Sequence, residues 1–322
     1  MTRRRWIAWS AITALLFAAG LALLLWLMAG LVLYYAPRKE HLQPSDYDRI
    51  ATNIPGGVEK LHLTSSDGIR IAAWYLPAAL EPGAEHWAVI LTHGGGDDKR
   101  FYLPFAEQLR QQGFDVMLPD LRGSGESQAS PHGLTLGITE GRDVAAASAF
   151  LAERKHIRHI AAGGVSMGGV ATVMAASLDP RIGPLIVESS SYQAQTVFDM
   201  LLSVLHFPRG GARWSVARAL TSVGLWRMGA SWPDVRAGTL PTLRLASGLA
   251  PRPTLFVFGD KDPFVNLPAV RRYAARFAGS NRIVVFPNTA HGIYPRHPTE
   301  YARLVTDFLN KWRRATVTAP SQ

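Results

Sequence analysis

Residues 164–168 read Gly164-Val165-Ser166-Met167-Gly168, which is the pattern G-x-S-x-G. An apolar run at residues 160–163 precedes it, and residues 169–176 (GVATVMAA) follow with the composition of a helix. Between a strand and a helix, the pattern predicts a sharp turn that exposes a nucleophilic serine, with glycines because a flanking Cβ would strike neighbouring backbone. The N-terminus of the helix would offer unpaired N–H groups where negative charge develops. The alternative is a glycine-rich turn with an inert serine, and the other motifs decide between the two.

Two apolar runs downstream are each followed by a residue type that a catalytic serine requires, an acid or a base. Residues 253–258 (PTLFVF) lead into a loop that holds Asp262, and residues 282–286 (RIVVF) lead into a loop that holds His291. Catalytic groups of parallel sheets collect at the carboxyl ends of the strands, in the chain order serine, acid, histidine. We therefore predict that Ser166, Asp262 and His291 meet at one edge of a sheet.

Upstream, residues 87–92 (WAVILT) lead into His93-Gly94-Gly95-Gly96. This loop is thin enough to bring backbone N–H groups against a substrate oxygen. We assign the oxyanion hole to the Met167 N–H together with one N–H from Gly94 or Gly95.

Five motifs in order make the chain resemble the α/β-hydrolase superfamily, in its serine esterase, lipase and thioesterase branch. They are H-G at 93, D-x-R-G-x-G-x-S at 120–127, G-x-S-x-G at 164, G-x-x-D at 259 and H-G at 291. The resemblance covers residues 58–315 and implies a doubly wound, mostly parallel α/β sheet. It also implies a helical cap inserted at about residues 190–249, and hydrolysis of carboxylic esters or thioesters through an acyl-enzyme intermediate.

Each supporting role has a competitor. Asp260, and Glu188 at the end of an apolar run, are the other candidate acids. The family spacing favours Asp262 as the acid. His93 is the other candidate base, but its place before a glycine resembles the structural histidine of the family's oxyanion loop.

Other activities stay open at the level of sequence. A serine peptidase or amidase of the same fold would use the same residues, and nothing here separates acyl–oxygen from acyl–nitrogen leaving groups. A non-catalytic module of this fold is the alternative from another class, although such modules typically lose a triad residue and this chain keeps all three by motif. A haloalkane dehalogenase is disfavoured, because that branch needs a carboxylate at position 166.

The N-terminus carries a separate signal. Arg3-Arg4-Arg5 precedes residues 6–35, which contain no charged side chain. Thirty residues at ~1.5 Å per residue exceed the ~30 Å of a bilayer core, so residues 1–35 are predicted to form one transmembrane signal-anchor. A cleavable signal peptide is the alternative, although its apolar segment is usually half as long. The arginines predict a cytoplasmic N-terminus and a catalytic domain on the non-cytoplasmic side.

Residues 36–57 are predicted to be a loosely packed linker, since they contain Pro37, Pro44, Pro55 and two glycines. Residues 316–322 are predicted to be a C-terminal tail. The 322 residues contain no cysteine, which excludes a cysteine nucleophile, thiolate metal sites and disulfides. No metal-ligand spacing, phosphate loop or nucleic-acid motif occurs, so we predict no cofactor, no metal and no nucleic-acid partner.

The net charge of +10 is compatible with ordinary solubility and with attraction to anionic lipid. The cap region adds to the second interpretation, because residues 198–248 hold six arginines against two aspartates, together with three tryptophans. These residues predict a surface that rests on a bilayer and admits a lipid acyl ester. Aromatic side chains that simply pack the cap are the equal alternative. The predicted substrate is therefore a small-molecule or lipid acyl ester.

Overall fold

The structure is a computed structural model that describes residues 3–34, 44–54, 57–80 and 83–317. The strands are β1 (Glu59–Thr64), β2 (Arg70–Leu76), β3 (Trp87–Thr92), β4 (Asp115–Pro119), β5 (His159–Val165), β6 (Ile182–Glu188), β7 (Thr254–Gly259) and β8 (Asn281–Phe286). The helices are α1 (Arg3–Tyr34), α2 (Pro44–Thr52), α3 (Leu103–Gln111), α4 (Gly141–Arg154), α5 (Met167–Leu178), α6 (Ala194–Val204), α7 (Gly211–Arg227), α8 (Trp232–Ala237), α9 (Thr242–Leu245), α10 (Leu267–Ala274) and α11 (Pro298–Val317).

The strands form one sheet of eight in the order β1-β2-β4-β3-β5-β6-β7-β8. β2 runs antiparallel to both of its neighbours, β1 and β4, and the other pairings are parallel. Strands and helices alternate from β3 onward, which is the arrangement that right-handed crossovers between parallel strands produce. The predicted mostly parallel α/β sheet is confirmed.

The sheet lies between two apolar layers. Side chains alternate along each strand, so β3 sends Ala88 and Ile90 to one face and Val89 and Leu91 to the other. The first face packs against α4, α5 and α10, and the second packs against α3 and α11. Because helices cover both faces, strands such as β3 are buried along their whole length.

The segment predicted to be a loose linker contains a helix. α2 begins at Pro44, whose fixed φ suits the first helical turn. Ala51 and Ile54 are buried in the same layer as α3 and α11. The prolines and glycines flank this helix and do not interrupt it, which is why a composition-based prediction of a loop was wrong over residues 44–52.

The chain divides into two compact units: residues 1–35 with 194–239, and residues 36–193 with 240–322. In the first unit, α1 packs against α7, and Ala29 is fully buried beside Phe198 and Leu202 of α6. The Arg227 guanidinium lies 4.0 Å from the centre of the Trp26 ring and donates to the Trp26 carbonyl oxygen at 3.3 Å. A cation over an indole face is a favourable contact, and it joins the helix at the N-terminus to the cap helices.

Residues 1–35 were predicted to cross a membrane. Among the residues whose placement is described, no helix has the length and apolar character of a membrane span. The prediction of a transmembrane helix is not confirmed. One face of α1 packs against α7, a contact that the apolar sequence of α1 did not indicate.

The three tryptophans of the cap region face outward. Trp214, Trp226 and Trp232 are each more than half exposed. The interpretation in which these tryptophans pack the cap is therefore wrong for all three. Trp226 is only partly covered, by an edge-to-face contact with Trp26 at 5.3 Å between ring centres.

Candidate active site

Ser166 occupies the sharp turn between β5 and α5. Its backbone has φ 55° and ψ −118°, a left-handed conformation that side chains rarely adopt. Gly164 and Gly168 flank the turn, and a Cβ on either would overlap Thr92 or neighbouring backbone. The glycines of the motif are thus required by close approach, and the strain directs the serine hydroxyl away from the strand.

The loop after β3 lies against the same turn. A Cβ at Gly94 would lie 3.5 Å from the Ser166 Cβ, so this backbone passes directly beside the serine. Within the described part of the chain, the N–H groups of Met167, Gly94 and Gly95 donate to no protein acceptor. Unpaired amides beside a nucleophile are what an oxyanion hole requires. Met167 also begins α5, so the positive end of the helix dipole lies at this point.

His93 is fully engaged in holding that loop. Its Nε2 accepts the Leu121 N–H at 3.0 Å, and its Nδ1 lies 2.7 Å from the Gly94 carbonyl oxygen. The first contact needs an unprotonated Nε2, and the second needs a proton on Nδ1. A buried imidazole with both nitrogens committed has no lone pair to offer Ser166, so His93 is not a competing base.

Buried ion pairs hold the segments that follow β3 and β4. Asp120 accepts the Lys99 backbone N–H at 2.7 Å and the Lys99 ammonium at 2.5 Å, and both side chains are fully buried. Arg122, two residues further, donates to Asp143 on α4 at 2.6 Å. Burial raises the pKa of Asp143 to about 6, and Arg122 acts in the opposite direction. The motif at 120–127 thus binds the segment after β3 through Lys99 and binds α4 through Asp143, and its two buried charges are used in these ion pairs.

Asp262 and His291 form a hydrogen-bonded pair. His291 Nδ1 lies 2.9 Å from Asp262 Oδ2, with the Asp262 side chain fully buried and the imidazole 27% exposed. The second Asp262 oxygen accepts the N–H groups of Phe264 and Val265 at 2.9 and 3.2 Å. A carboxylate held this way keeps the proton of a neutral imidazole on Nδ1 and leaves Nε2 free to accept one.

Asp260, the nearer competitor in sequence, has a different partner. It accepts the Thr289 N–H at 3.3 Å and so ties the loop after β7 to the loop after β8. Among the described residues, no hydrogen bond joins the Ser166 hydroxyl to the His291 ring. Such bonds are often long without substrate and tighten when it is present.

Glu188, the other candidate acid, is buried at the end of β6. One of its oxygens accepts the backbone N–H groups of Ile293 and Tyr294 at 2.6 and 2.9 Å, and the other accepts the Tyr102 hydroxyl. Burial raises the pKa of Glu188, while these donors act in the opposite direction. The carboxylate contacts the backbone after His291 and not the imidazole, so Asp262 is the acid that the geometry favours.

Sequence reasoning did not single out the two serines that follow Glu188. Ser189 Oγ accepts the Gly292 N–H at 3.1 Å, and Ser190 Oγ donates to the Ser166 carbonyl oxygen. The signal was a run of polar residues at the carboxyl end of an otherwise apolar parallel strand. The part of the chain with described side chains holds no group of three or more histidine, aspartate or glutamate residues suited to a metal ion.

A sheet in this strand order, with a strained serine after β5 and a histidine–aspartate pair at the ends of β7 and β8, defines the class of α/β hydrolases. The family model described as "Alpha/beta hydrolase family" matches residues 89–304, which is more than half of the chain. The chain therefore belongs to the α/β hydrolase family.

Individual relatives are distant. The uncharacterized protein YfhR of Escherichia coli K12 is 29% identical over 85 residues, which are 26% of this chain and 30% of YfhR. The esterase Pf2001 of Pyrococcus furiosus is similar in structure with a TM-score of 0.63, at 18% identity, over 85% of this chain and 98% of that one. A bacterial membrane phospholipase A, described as a virulence factor, has a TM-score of 0.57 at 21% identity, over 92% of this chain and 98% of that one.

Proposed function

We propose that the protein is a serine hydrolase that cleaves carboxylic esters or thioesters through an acyl-enzyme intermediate. In the first step, Ser166 Oγ bonds to the acyl carbon while its proton passes to His291 Nε2. The imidazolium then gives that proton to the leaving oxygen or sulfur as its bond to carbon breaks. Water, deprotonated by the same nitrogen, attacks the acyl-enzyme and releases the acid and the free serine.

The observation that carries this proposal is the buried Asp262 bonded to His291 at the edge where Ser166 lies strained. Asp262 stabilises the imidazolium that forms when the serine proton is taken. The N–H group of Met167 and one N–H group from Gly94 or Gly95 are the donors for the oxyanion of the tetrahedral intermediate. No step requires a further cofactor, because the chain supplies the first nucleophile and the base, and water is the second nucleophile.

The choice of an ester rests on similarity of fold to proteins described as esterases, including Pf2001. The same groups would cleave an amide, so the experiment must also be able to detect peptidase or amidase activity. The acyl chain and the leaving group are properties to be measured.

The test is labelling with a fluorophosphonate, followed by turnover of matched nitrophenyl ester, thioester and anilide substrates. We expect one covalent label at Ser166, and faster turnover of the ester and thioester than of the anilide. Ser166→Ala should abolish labelling and lower turnover by about 10⁶-fold, whereas Ser177→Ala, an exposed serine at the far end of α5, should retain both. Full labelling of Ser166→Ala would refute the mechanism. Faster turnover of the anilide than of the ester and thioester would show that the substrates are amides and not esters.

We also propose that the protein is attached to a membrane through α1, with its N-terminus in the cytoplasm and its catalytic domain on the other side. Support comes from the uncharged run 6–35, the preceding arginines, and exposed leucines of α1 such as Leu15 and Leu16. The exposed tryptophans of the cap region suit a headgroup layer that would also present lipid esters.

Fractionation of cells that express the full chain tests this location. We expect the protein in the membrane fraction after a carbonate wash, because a helix inserted in hydrocarbon is not released by breaking charge contacts. Release by carbonate would indicate surface attachment, and recovery in the soluble fraction would refute membrane attachment. N-terminal sequencing that begins past residue 35 would indicate a cleaved signal.

A further inference from the structure

The loop that carries His291 has to cross the sheet to reach the serine. β8 is separated from β5 by β6 and β7, and three strand spacings of about 4.8 Å make roughly 14 Å. A histidine held only by its own strand would therefore lie too far from Ser166 to exchange a proton. Something must draw the loop back over β7.

Two sets of contacts do this. The loop after β7 binds Thr289 through Asp260 and His291 through Asp262. The backbone after His291 is bound by the last residue of β6 and the residue that follows it: Gly292 N–H donates to Ser189, and the next two N–H groups donate to Glu188. Three consecutive amides of one loop are thus bound by two consecutive side chains. The bonds span more than 100 residues of sequence, so tertiary folding alone creates them.

The same segment holds the nucleophile. The Glu188 carbonyl oxygen accepts the Ser166 N–H at 2.8 Å, and the Ser190 hydroxyl donates to the Ser166 carbonyl oxygen. Ser189 itself has φ 45°, a strained conformation for a serine, and its N–H donates to Val257 of β7 at 2.7 Å. Residues 188–190, which we call the bracket, therefore contact the backbone of the serine turn on one side and the backbone of the histidine loop on the other.

We propose that Glu188 is a positioning residue of the hydrolase. Its backbone carbonyl oxygen accepts the Ser166 N–H, and its carboxylate binds the backbone after His291, so the side chain sets the distance between His291 and Ser166. This inference rests on the proposed function. A misplacement of about 1 Å between reacting groups costs roughly 10²-fold in rate, so a buried carboxylate that never touches substrate controls turnover through the histidine. Ser189 is its second contact point on the histidine loop.

The experiment compares Glu188 with a matched carboxylate elsewhere. Asp115, buried at the start of β4, likewise accepts a tyrosine hydroxyl and a backbone N–H, from Tyr75 and Ala78, but at the opposite edge of the sheet. Glu188→Ala, Glu188→Gln and Asp115→Ala are each measured for kcat and KM on a nitrophenyl ester, below their melting temperatures. Rates of fluorophosphonate labelling are measured alongside.

We expect Glu188→Ala to lower kcat and the labelling rate by about 10²-fold with KM changed less than about threefold. Glu188→Gln keeps an acceptor oxygen for the two amides and should recover kcat to within about fivefold of wild type. Asp115→Ala should leave kcat within about twofold. Equal kcat for Glu188→Ala and Asp115→Ala would overturn the proposal.

A double-mutant cycle separates positioning from general damage. If Glu188 acts through His291, then adding Glu188→Ala to His291→Ala should lower the residual rate by less than about twofold. An undiminished 10²-fold effect in that background would mean that Glu188 supports the fold and nothing more. If Glu188→Ala does not fold, Ser189→Ala, which removes one acceptor, enters the same cycle with an expected drop of about tenfold.

The wild-type control distinguishes the two proposals. Absence of labelling and turnover in wild-type protein would refute the proposed function itself. Normal wild-type labelling with an unaffected Glu188→Ala would refute only the role of the bracket.

Discussion

Buried carboxylates lie at both edges of the sheet, but they serve different purposes at the carboxyl edge and at the amino edge. At the carboxyl edge, where the parallel strands finish, Asp262 and Glu188 bind loops that carry His291 and the backbone beyond it. At the amino edge, Asp115 binds Tyr75 and Ala78 and fastens the end of β2 to the start of β4. A buried carboxylate is costly unless its acceptors are filled, and both edges fill them.

The difference lies in what each carboxylate holds. Amino-edge contacts join regular elements whose relative place is already set by the sheet ladder. Trp87, stacked on His159 at 3.9 Å and edge-on to Trp312 at 4.8 Å, belongs to the same edge. Carboxyl-edge contacts determine the place of loops that no ladder restrains. Substitutions at the amino edge should therefore lower the free energy of unfolding, and substitutions at the carboxyl edge should lower turnover.

The largest effect is expected from His291→Ala. It removes the group that accepts the serine proton, so turnover should fall by about as much as in Ser166→Ala, roughly 10⁶-fold, because members of one catalytic unit are not additive. Combining the two substitutions should add little. The measurement is ester turnover of the single and double variants, with His297→Ala as a control on the neighbouring turn. A His291→Ala enzyme with a tenth of wild-type activity would rule out this histidine as the base.

Asp262→Asn should come next, with turnover lowered by about 10³ to 10⁴-fold, because an amide favours the wrong imidazole tautomer. Asp260→Asn, two residues away with a side chain that accepts the Thr289 N–H, is the matched control and should cost less than about tenfold. If Asp262→Asn has nearly wild-type turnover and Glu188→Gln has lost most of its turnover, then Glu188 is the acid.

At the amino edge, Asp115→Ala should lower the free energy of unfolding by about 1 to 3 kcal/mol, since it strands the Tyr75 hydroxyl and the Ala78 N–H without an acceptor. Urea unfolding followed by fluorescence measures this change. Turnover below the melting temperature should stay near that of wild type. A selective loss of kcat in this variant would erase the distinction between the two edges.

The smallest effect concerns the turn between β1 and β2. Arg122 holds the pKa of Asp67 well below its usual value, and Arg142 adds to the effect. Because the folded pKa is depressed, the stabilisation is present above about pH 4 and is lost as the pH falls toward the folded value. Asp67→Asn should cost about 1 kcal/mol at pH 7, and its melting temperature should converge on that of wild type as the pH drops below 4. A difference that does not change with pH would exclude the ion pair as its cause.

The sequence predicted most of the α/β fold because its signals are local. The apolar runs that become β3, β5 and β7 and the glycines around Ser166 act over a few residues each. The apolar run at residues 160–163 therefore falls inside β5, and the helical run at residues 169–176 falls inside α5. The roles of Ser166, Asp262 and His291 stay predictions until turnover is measured, although the structure brings the last two into contact.

The sequence by itself determined which residue types follow each strand, because an apolar run and the residues after it can be recognised without knowing what they contact in the fold. Only the tertiary structure brought Asp262 and not Glu188 against the His291 ring, bound both nitrogens of His93, and joined α1 to α7 through Arg227 and Trp26. Those outcomes depend on contacts between segments tens to hundreds of residues apart, and no local periodicity encodes them. Their geometry is set by the packing of the whole sheet and its helices, where each side chain takes the partner that folding brings within reach.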